Sequence, residues 1–439
     1  MIRAARFAAA AAFLALPAAA QPLLPEGAFT PRDPAAVELG WLLFYDPVLS
    51  GNQEVACGTC HHPKFGTGDG VSLAIGDGGI GLGPERKVDP DNPPEERIPR
   101  NAPALFNLGA AEFTVMFHDG RLEADPNKPG GIRTPLGAEM VAGFQSVLSA
   151  QAMFPVLSAD EMAGHYSENP ISQAVRLGQL THEGGAWAQI AERVAAIPEY
   201  RKRFDALLGE GAPVGFTDIA NVVADFIAEE WRADNSAFDQ HLRGEAPLTG
   251  DALAGMELFY GEAGCADCHA GRFQTDHSFH AIAMPQFGPG KAARFEDHHR
   301  DMGRMRVTGR EEDAYRFRTP SLRNVTHTAP YGHTGAYAAL EDVVRHHLDP
   351  EGWLMSYDIA LADLPALPEG HDPGIDSWVL DRPEEVQAIA LASDLPAREL
   401  SDAQVAQILA FLAALEDPQA IKGRLGVPKK VPSGLPVPK

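Results

Sequence analysis

Cys57-Gly-Thr-Cys60-His61 decides how the rest of the chain is read, because Cys265-Ala-Asp-Cys268-His269 repeats it. These two motifs hold all four cysteines of the 439-residue sequence. C-x-x-C-H is the attachment sequence of c-type haem. Two thiols separated by two residues on one helical turn form thioethers with the two vinyl groups, and the imidazole that follows becomes the proximal iron ligand. A zinc site and a thioredoxin-like pair are the competing readings. Zinc-binding cysteine pairs normally sit within ~20 residues of each other, but Cys60 and Cys265 are in opposite halves of this chain. A redox pair needs no following histidine, and both motifs carry one. The motifs therefore predict two covalently bound haem c groups, one on Cys57, Cys60 and His61 and one on Cys265, Cys268 and His269.

Outward from the motifs, the chain repeats itself. Gly40-Trp-Leu-Leu-Phe-Tyr45 precedes the first and Gly255-Met-Glu-Leu-Phe-Tyr260 the second. Downstream, Pro103-Ala-Leu105-Phe-Asn107 matches Pro320-Ser-Leu322-Arg-Asn324, and Phe117-His118-Asp119-Gly120 corresponds to Tyr331-Gly-His333-Thr-Gly335. Three landmarks in one order argue for two copies of one unit. The apolar stripe Val37, Leu39, Leu42 and Leu43 predicts a helix over 35–45, ended at Asp46-Pro47. Helical patterns run through 158–245, including 219–231, and a helix over 400–415 opens on the cap signal Ser401-Asp402. Residues 66–99, rich in Gly and then in Pro, Asp and Glu, read as a long exposed loop, and residues from Asp417 as a loosely ordered tail. The expected fold is mainly α, with two tandem class I cytochrome c-like domains and a helical insert. Its divisions are a signal peptide at 1–20, an N-terminal haem domain at 21–157, the insert at 158–246, a C-terminal haem domain at 247–416 and the tail at 417–439.

Composition narrows the partners. Hydrophobic residues at 45% and charged residues at 22% mark a globular chain. The formal charge of −24 argues against nucleic acid or an anionic membrane and favours a cationic partner. Arg3 and Arg6, an apolar stretch over 7–16 and Ala18-Ala19-Ala20 before Gln21 read as a secretory signal. No later run reaches some 18 apolar residues, so no membrane span is expected, and export implies the periplasm.

With the haem motifs in place, the chain resembles the bacterial di-haem cytochrome c peroxidase family, which includes the MauG branch. The resemblance rests on both motifs and on Arg100-Asn-Ala-Pro103, Phe117-His-Asp-Gly-Arg121, Pro135-Leu-Gly-Ala-Glu139-Met140, Thr319-Pro-Ser-Leu-Arg323-Asn324, Thr328-Ala-Pro330-Tyr331 and Leu340-Glu-Asp-Val-Val-Arg-His-His347. It implies that the N-terminal haem reacts with peroxide and the C-terminal haem takes in electrons. The loop histidine that blocks the N-terminal haem in the peroxidase branch is replaced in Ile75-Gly76-Asp77-Gly78, so an open iron face at rest is expected; His62 is the competing ligand. The family's acid/base Glu falls on Glu139, after a Pro-to-Glu interval shorter than in the peroxidase branch. The inter-haem Trp aligns with His118, and the distal ligand of the C-terminal haem with His347, ahead of His346 and Met355. The family's calcium ligands match the Asn101 side chain and the carbonyls of Thr328 and Pro330, with Tyr331 and His333 in support.

The implied function is a periplasmic oxidoreductase that reduces hydrogen peroxide with electrons from a small cytochrome c or cupredoxin. In that reading Glu139 moves the peroxide proton. A MauG-like oxidation of aromatic residues in a partner protein is the alternative, and a non-catalytic di-haem electron carrier is the second.

Overall fold

A computed structural model describes residues 22–439 apart from Glu26, residues 293–295 and Glu369. The expected export signal at 1–20 lies outside the described residues. Five helices frame two buried cores: α1 (Pro34–Phe44), α2 (Phe216–Glu230), α3 (Gly250–Phe259), α4 (Leu340–Leu348) and α5 (Asp402–Ala413). Asp33 caps α1 by accepting the Ala35 amide at 2.8 Å, ahead of a proline in the first turn. The Ser401 side chain caps α5 by accepting the Gln404 amide.

α1 crosses α2, and α3 crosses α5, by the same device. A Cβ on Gly40 would lie 1.8 Å from the Val222 carbonyl oxygen, and one on Gly255 would lie 1.7 Å from that of Gln407. Only glycine admits two backbones this close. One turn further on, Phe44 meets Phe226 at 5.2 Å and Phe259 meets Phe411 at 5.1 Å between ring centres. Asn107 and Asn324 then occupy the left-handed region, at φ 63° and 60°. The Asn107 amide donates to the Trp231 carbonyl and its Oδ1 accepts the Ala233 amide. Asn324 does the same with Leu415 and Asp417. The sequence repeat thus reappears as repeated packing.

The chain is mainly helical, with three small antiparallel sheets among the described residues. One sheet joins Val115–Met116, Leu122–Ala124 and Ile132–Arg133, with Val115 opposite Glu123. Another pairs Phe279–His280 with Phe317–Arg318.

The interval expected as an insert, 158–246, is divided between the cores. Trp187, Ile190, Tyr200, Phe204 and α2 fill the first core, whereas Phe238 turns into the second, 5.2 Å from Phe411. The loop expected to be exposed is buried from Val71 to Asp77, because Arg86 gathers the carbonyls of Ile75, Gly76 and Gly81. The tail is not loose either. Buried Asp46 and Glu230 need donors, and the tail supplies them. Ser433 Oγ donates to Asp46 at 2.6 Å, and the Leu425 and Gly426 amides donate to Glu230 at 2.7 and 2.8 Å. Among the described residues no helix is long and apolar enough to cross a membrane.

Gly255→Ala is expected to lower the melting temperature of the holoprotein, at a cost of about 1–3 kcal/mol from overpacking. At an open helical position the same change would stabilise by roughly 1 kcal/mol, so a raised melting temperature would contradict the close crossing.

Candidate functional site

Each C-x-x-C-H motif aims its histidine in the same way. Cys57–Cys60 forms one helical turn, and the His61 amide donates back to the Cys57 carbonyl at 2.9 Å. His61 Nδ1 then donates to the Thr67 carbonyl at 2.9 Å, which leaves Nε2 as the free nitrogen. His269 Nδ1 donates to the Gln274 carbonyl at 3.1 Å. Thr67 and Gln274 both sit in the left-handed region, at φ 67° and 49°, and so turn their carbonyls back onto the imidazoles. A main-chain carbonyl on the other ring nitrogen is the usual support of a metal-bound histidine. Burial pushes His61 below the ordinary imidazole range and His269 to about 4, so both rings are neutral, as ligands must be. Burial also pushes the Cys57 and Cys60 thiols up to about 12. Thiols so raised suit a covalent thioether better than a zinc-bound thiolate.

Opposite His269 the structure brings His347. Their ring centres are 6.4 Å apart. Two imidazoles bound to opposite faces of one metal at about 2.0 Å have centres ~6.3 Å apart. His347 Nδ1 donates to the Val343 carbonyl of α4 at 2.7 Å, again freeing Nε2. His346 has both nitrogens engaged, by the Tyr337 hydroxyl and the Ile282 carbonyl. Met355 projects into solvent, 52% exposed. The donor set fits a haem iron held by two histidines.

Around the first motif the arrangement differs. Asp77 is fully buried and accepts from Asn52 Nδ2 at 3.0 Å. His62 Nδ1 is occupied by the Lys64 amide at 3.2 Å. Glu139 ends an exposed turn over Gly137–Glu139, which does not bring it into a protected site. A different, half-buried carboxylate lies near the first motif. Glu161 lies on the π-helical turn Ala159–Ala163, within electrostatic reach of Cys60, Arg121 and Lys291. Burial raises its carboxyl above the ordinary range, against the opposing pull of Lys291 and Arg121. Sequence reading passed over Glu161, although Glu161-Met162 repeats the dipeptide Glu139-Met140.

Between the motifs lies a buried charged junction. Arg100 donates to both oxygens of Asp301, at 2.6 and 2.8 Å, and to Asp119 at 2.8 Å. The Arg100 guanidinium also lies over Phe317, which stacks on His333 at 3.8 Å. His118 sits in the same field: burial, then Arg100, His333 and Arg318, hold it well below the ordinary imidazole range. Arg318 donates to the carbonyls of Phe117 and Thr319, and burial lowers it to about 10. Such a cation suits an anionic group such as a haem propionate. Asn101 reaches the junction too. Its main chain meets the His333 carbonyl, and its amide nitrogen donates to Val71 and Ser72, leaving Oδ1 as acceptor. The Thr328 and Pro330 segment packs close by, with the preceding His327 carbonyl pressed on Gly66 and Pro330 on Gly335.

Two C-x-x-C-H motifs with supported, neutral histidines fit a haem c protein with two attachment sites. A sequence profile described as Di-haem cytochrome c peroxidase matches residues 34–247. The methylamine utilization protein MauG of Methylorubrum extorquens is 30% identical over 74% of this chain and 72% of its own length. The cytochrome c551 peroxidase of Nitrosomonas europaea is 31% identical over 74% and 77%. A crystal structure of a MauG-like protein associated with microbial copper homeostasis superposes with a TM-score of 0.55 at 25% identity, covering 91% of this chain and 94% of that one. The chain belongs to the di-haem cytochrome c peroxidase family and is a peroxidase-type oxidoreductase, which sets aside the reading as a plain electron carrier.

Arg100→Gln leaves Asp119 and Asp301 buried without their shared cation and is expected to cost about 3–5 kcal/mol. Burial alone would raise both carboxyls, but Arg100 outweighs it and holds them below the ordinary range. Their contribution is therefore complete above the unfolded value near pH ~4 and is lost as pH falls through the lowered native values. In the variant Asp119 keeps Arg121 at 3.1 Å, but Asp301 loses its arginine, so the sign reverses for Asp301, and melting temperatures measured across pH should fall as pH rises through its raised value.

Proposed function

We propose that the two repeats are tandem class I cytochrome c-like units and that the protein reduces hydrogen peroxide in the periplasm, taking electrons from a small cytochrome c or cupredoxin. The carrying observation is the inequality of the two sites: a second imidazole faces His269, whereas a half-buried carboxylate, Glu161, lies within electrostatic reach of Cys60. Cys57, Cys60 and His61 would hold one haem; Cys265, Cys268, His269 and His347 would hold the other. Held by those residues, a haem would supply redox and Lewis-acid chemistry toward peroxide.

The chain does the rest. Glu161, raised by burial, takes the proton from the inner peroxide oxygen and returns it to the leaving one. Arg121 and Lys291 keep its ionised form accessible. Two neutral histidines without thioether or carboxylate suit His269 and His347 to one-electron transfer rather than to binding a substrate. His118, kept neutral by burial and the neighbouring cations, would stand between the sites, and Arg318 would suit a propionate. Calcium on Asn101, Thr328 and Pro330 would tie the junction, since the Asn101 oxygen is the end of the amide left for it. The acidic surface favours a basic donor, with association that weakens as salt rises.

Glu161→Gln should slow the reaction of the ferric holoenzyme with hydrogen peroxide by roughly 10²–10⁴-fold in stopped-flow absorbance. Glu139→Gln should leave that rate unchanged. The opposite pattern returns the proton-handling role to Glu139.

Low-temperature EPR of the ferric protein should show one low-spin bis-imidazole centre and one high-spin centre. His347→Ala should abolish the low-spin signal alone; its survival in that variant would exclude His347 as ligand.

A second reading has one supporting observation, Asp77 turned away in place of a gating histidine. It is peroxide-dependent oxidation of an aromatic residue in a partner protein. Steady turnover with a reduced cytochrome supports peroxide reduction, and a mass shift on a co-expressed partner supports the second reading.

A further inference from the structure

Beside the turn that carries Glu161 lies a group of side chains that the peroxidase reading does not use. Asp77, His165 and Glu168 each bring a ligand-type atom within 4.8 Å of the other two. His165 Nδ1 is 3.4 Å from Glu168 Oε1. Tetrahedral ligands on an ion with bonds of about 2.1 Å lie ~3.4 Å apart, so the His165–Glu168 edge already has the spacing of a metal site, and Asp77 lies within 4.8 Å of both.

Asp77 is 0% exposed, and its Oδ1 has no hydrogen-bond partner among the described residues. An orphaned carboxylate oxygen inside a protein calls for a cation or a donor. The outer oxygens are already held. Asn52 Nδ2 donates to Asp77 Oδ2 at 3.0 Å and to Glu168 Oε2 at 2.7 Å, and Asn169 Nδ2 donates to Asn52 Oδ1 at 2.8 Å. Amides that orient the carboxylates from behind are what a metal site requires of its surroundings.

The backbone is shaped to the same spot. Glycine is required at Gly76, whose Cβ would meet the Asp160 carbonyl at 2.2 Å, and at Gly51, whose Cβ would meet that of Ala163 at 1.9 Å. Gly164, at φ 84°, would press a Cβ onto Asn52, Asn169 and Glu168. Three glycines thus let three chain segments close around the cluster. Glu168 lies at its exposed rim and gives a path for an ion.

We propose that Asp77, His165 and Glu168 bind one divalent transition-metal ion of the zinc or manganese class. Two carboxylates neutralise a dication, and the imidazole selects a borderline ion over calcium or magnesium. The ion fastens the loop Ile75–Gly78 to the segment 159–169. Asp77 is thereby committed away from the first haem motif. The site does not depend on the assignment of Glu161.

Metal analysis of the haem-loaded full chain tests this directly. After dialysis against a chelator, the protein is titrated with Zn²⁺ and separately with Mn²⁺, with Ca²⁺ as competitor, and iron and the added metal are counted. One equivalent of either ion per chain, resistant to calcium, is expected, with a rise in melting temperature. Asp77→Asn and His165→Gln should each lose that equivalent while retaining two haems by absorbance. Failure of both ions to bind the parent protein overturns the proposal, leaving a hydrogen-bonded charge network. Retention of the equivalent by both variants also overturns it, since the ion then sits elsewhere.

Discussion

Everything at the two sites depends on a single hydrogen bond made twice, from an imidazole Nδ1 to a main-chain carbonyl. Without it, His61 and His269 would rotate, and no fixed nitrogen would face a metal. The carbonyls are turned back by Thr67 and Gln274, residues that accept a left-handed backbone without being glycine. Such conformations cost of order 1 kcal/mol and persist where the surroundings over-determine them. Here the surroundings are side-chain hydrogen bonds: Thr67 Oγ1 accepts the Leu105 amide, and Gln274 Nε2 donates to the Gly271 carbonyl and the Tyr260 hydroxyl.

Local chemistry was legible in the sequence, and partnership across distance was not. The C-x-x-C-H motifs encode their own geometry in five residues, and the caps and apolar stripes of α1 and α5 lie within one helix each. The repeat was legible because its landmarks keep their order. The role of α2 was hidden, because nothing within 216–230 says that it packs on Gly40 rather than on its neighbours. The tail reads as loose for the same reason: its prolines and lysines describe an unattached segment, while the demand for donors sits at Asp46 and Glu230. Glu139 and Glu161 share the dipeptide Glu-Met, so only burial separates them. Glu161 stands on a π-helical turn and is half-buried, whereas Glu139 ends an exposed one.

The charged junction explains why the two repeats hold together as they do. Arg100 comes from the first repeat and Asp301 from the second, and both are buried. Hydrophobic contacts between the repeats would tolerate sliding, since apolar packing is not directional. A bidentate arginine–carboxylate pair does not, because both hydrogen bonds fail together if the planes tilt. Stacking of Arg100 on Phe317, and of Phe317 on His333, adds a further contact to that pair. Electron transfer between haems is steep in distance, so a junction that keeps its register has a direct functional consequence.

The same scaffold then yields two different sites through what approaches the free nitrogen's side. In the second repeat, α4 presents His347, with its Nδ1 tied to its own helix so that Nε2 can face His269. In the first, the segment 159–163 brings Glu161 within electrostatic reach of Cys60, and Asp77 of the Ile75–Gly78 loop is bonded to Asn52. The proximal half is dictated by a local motif and varies little between repeats. The distal half is contributed by separate chain segments and is free to diverge. A duplicated cradle with independently supplied distal groups is therefore a physical route by which two copies of one unit come to differ in what faces the ligand histidine.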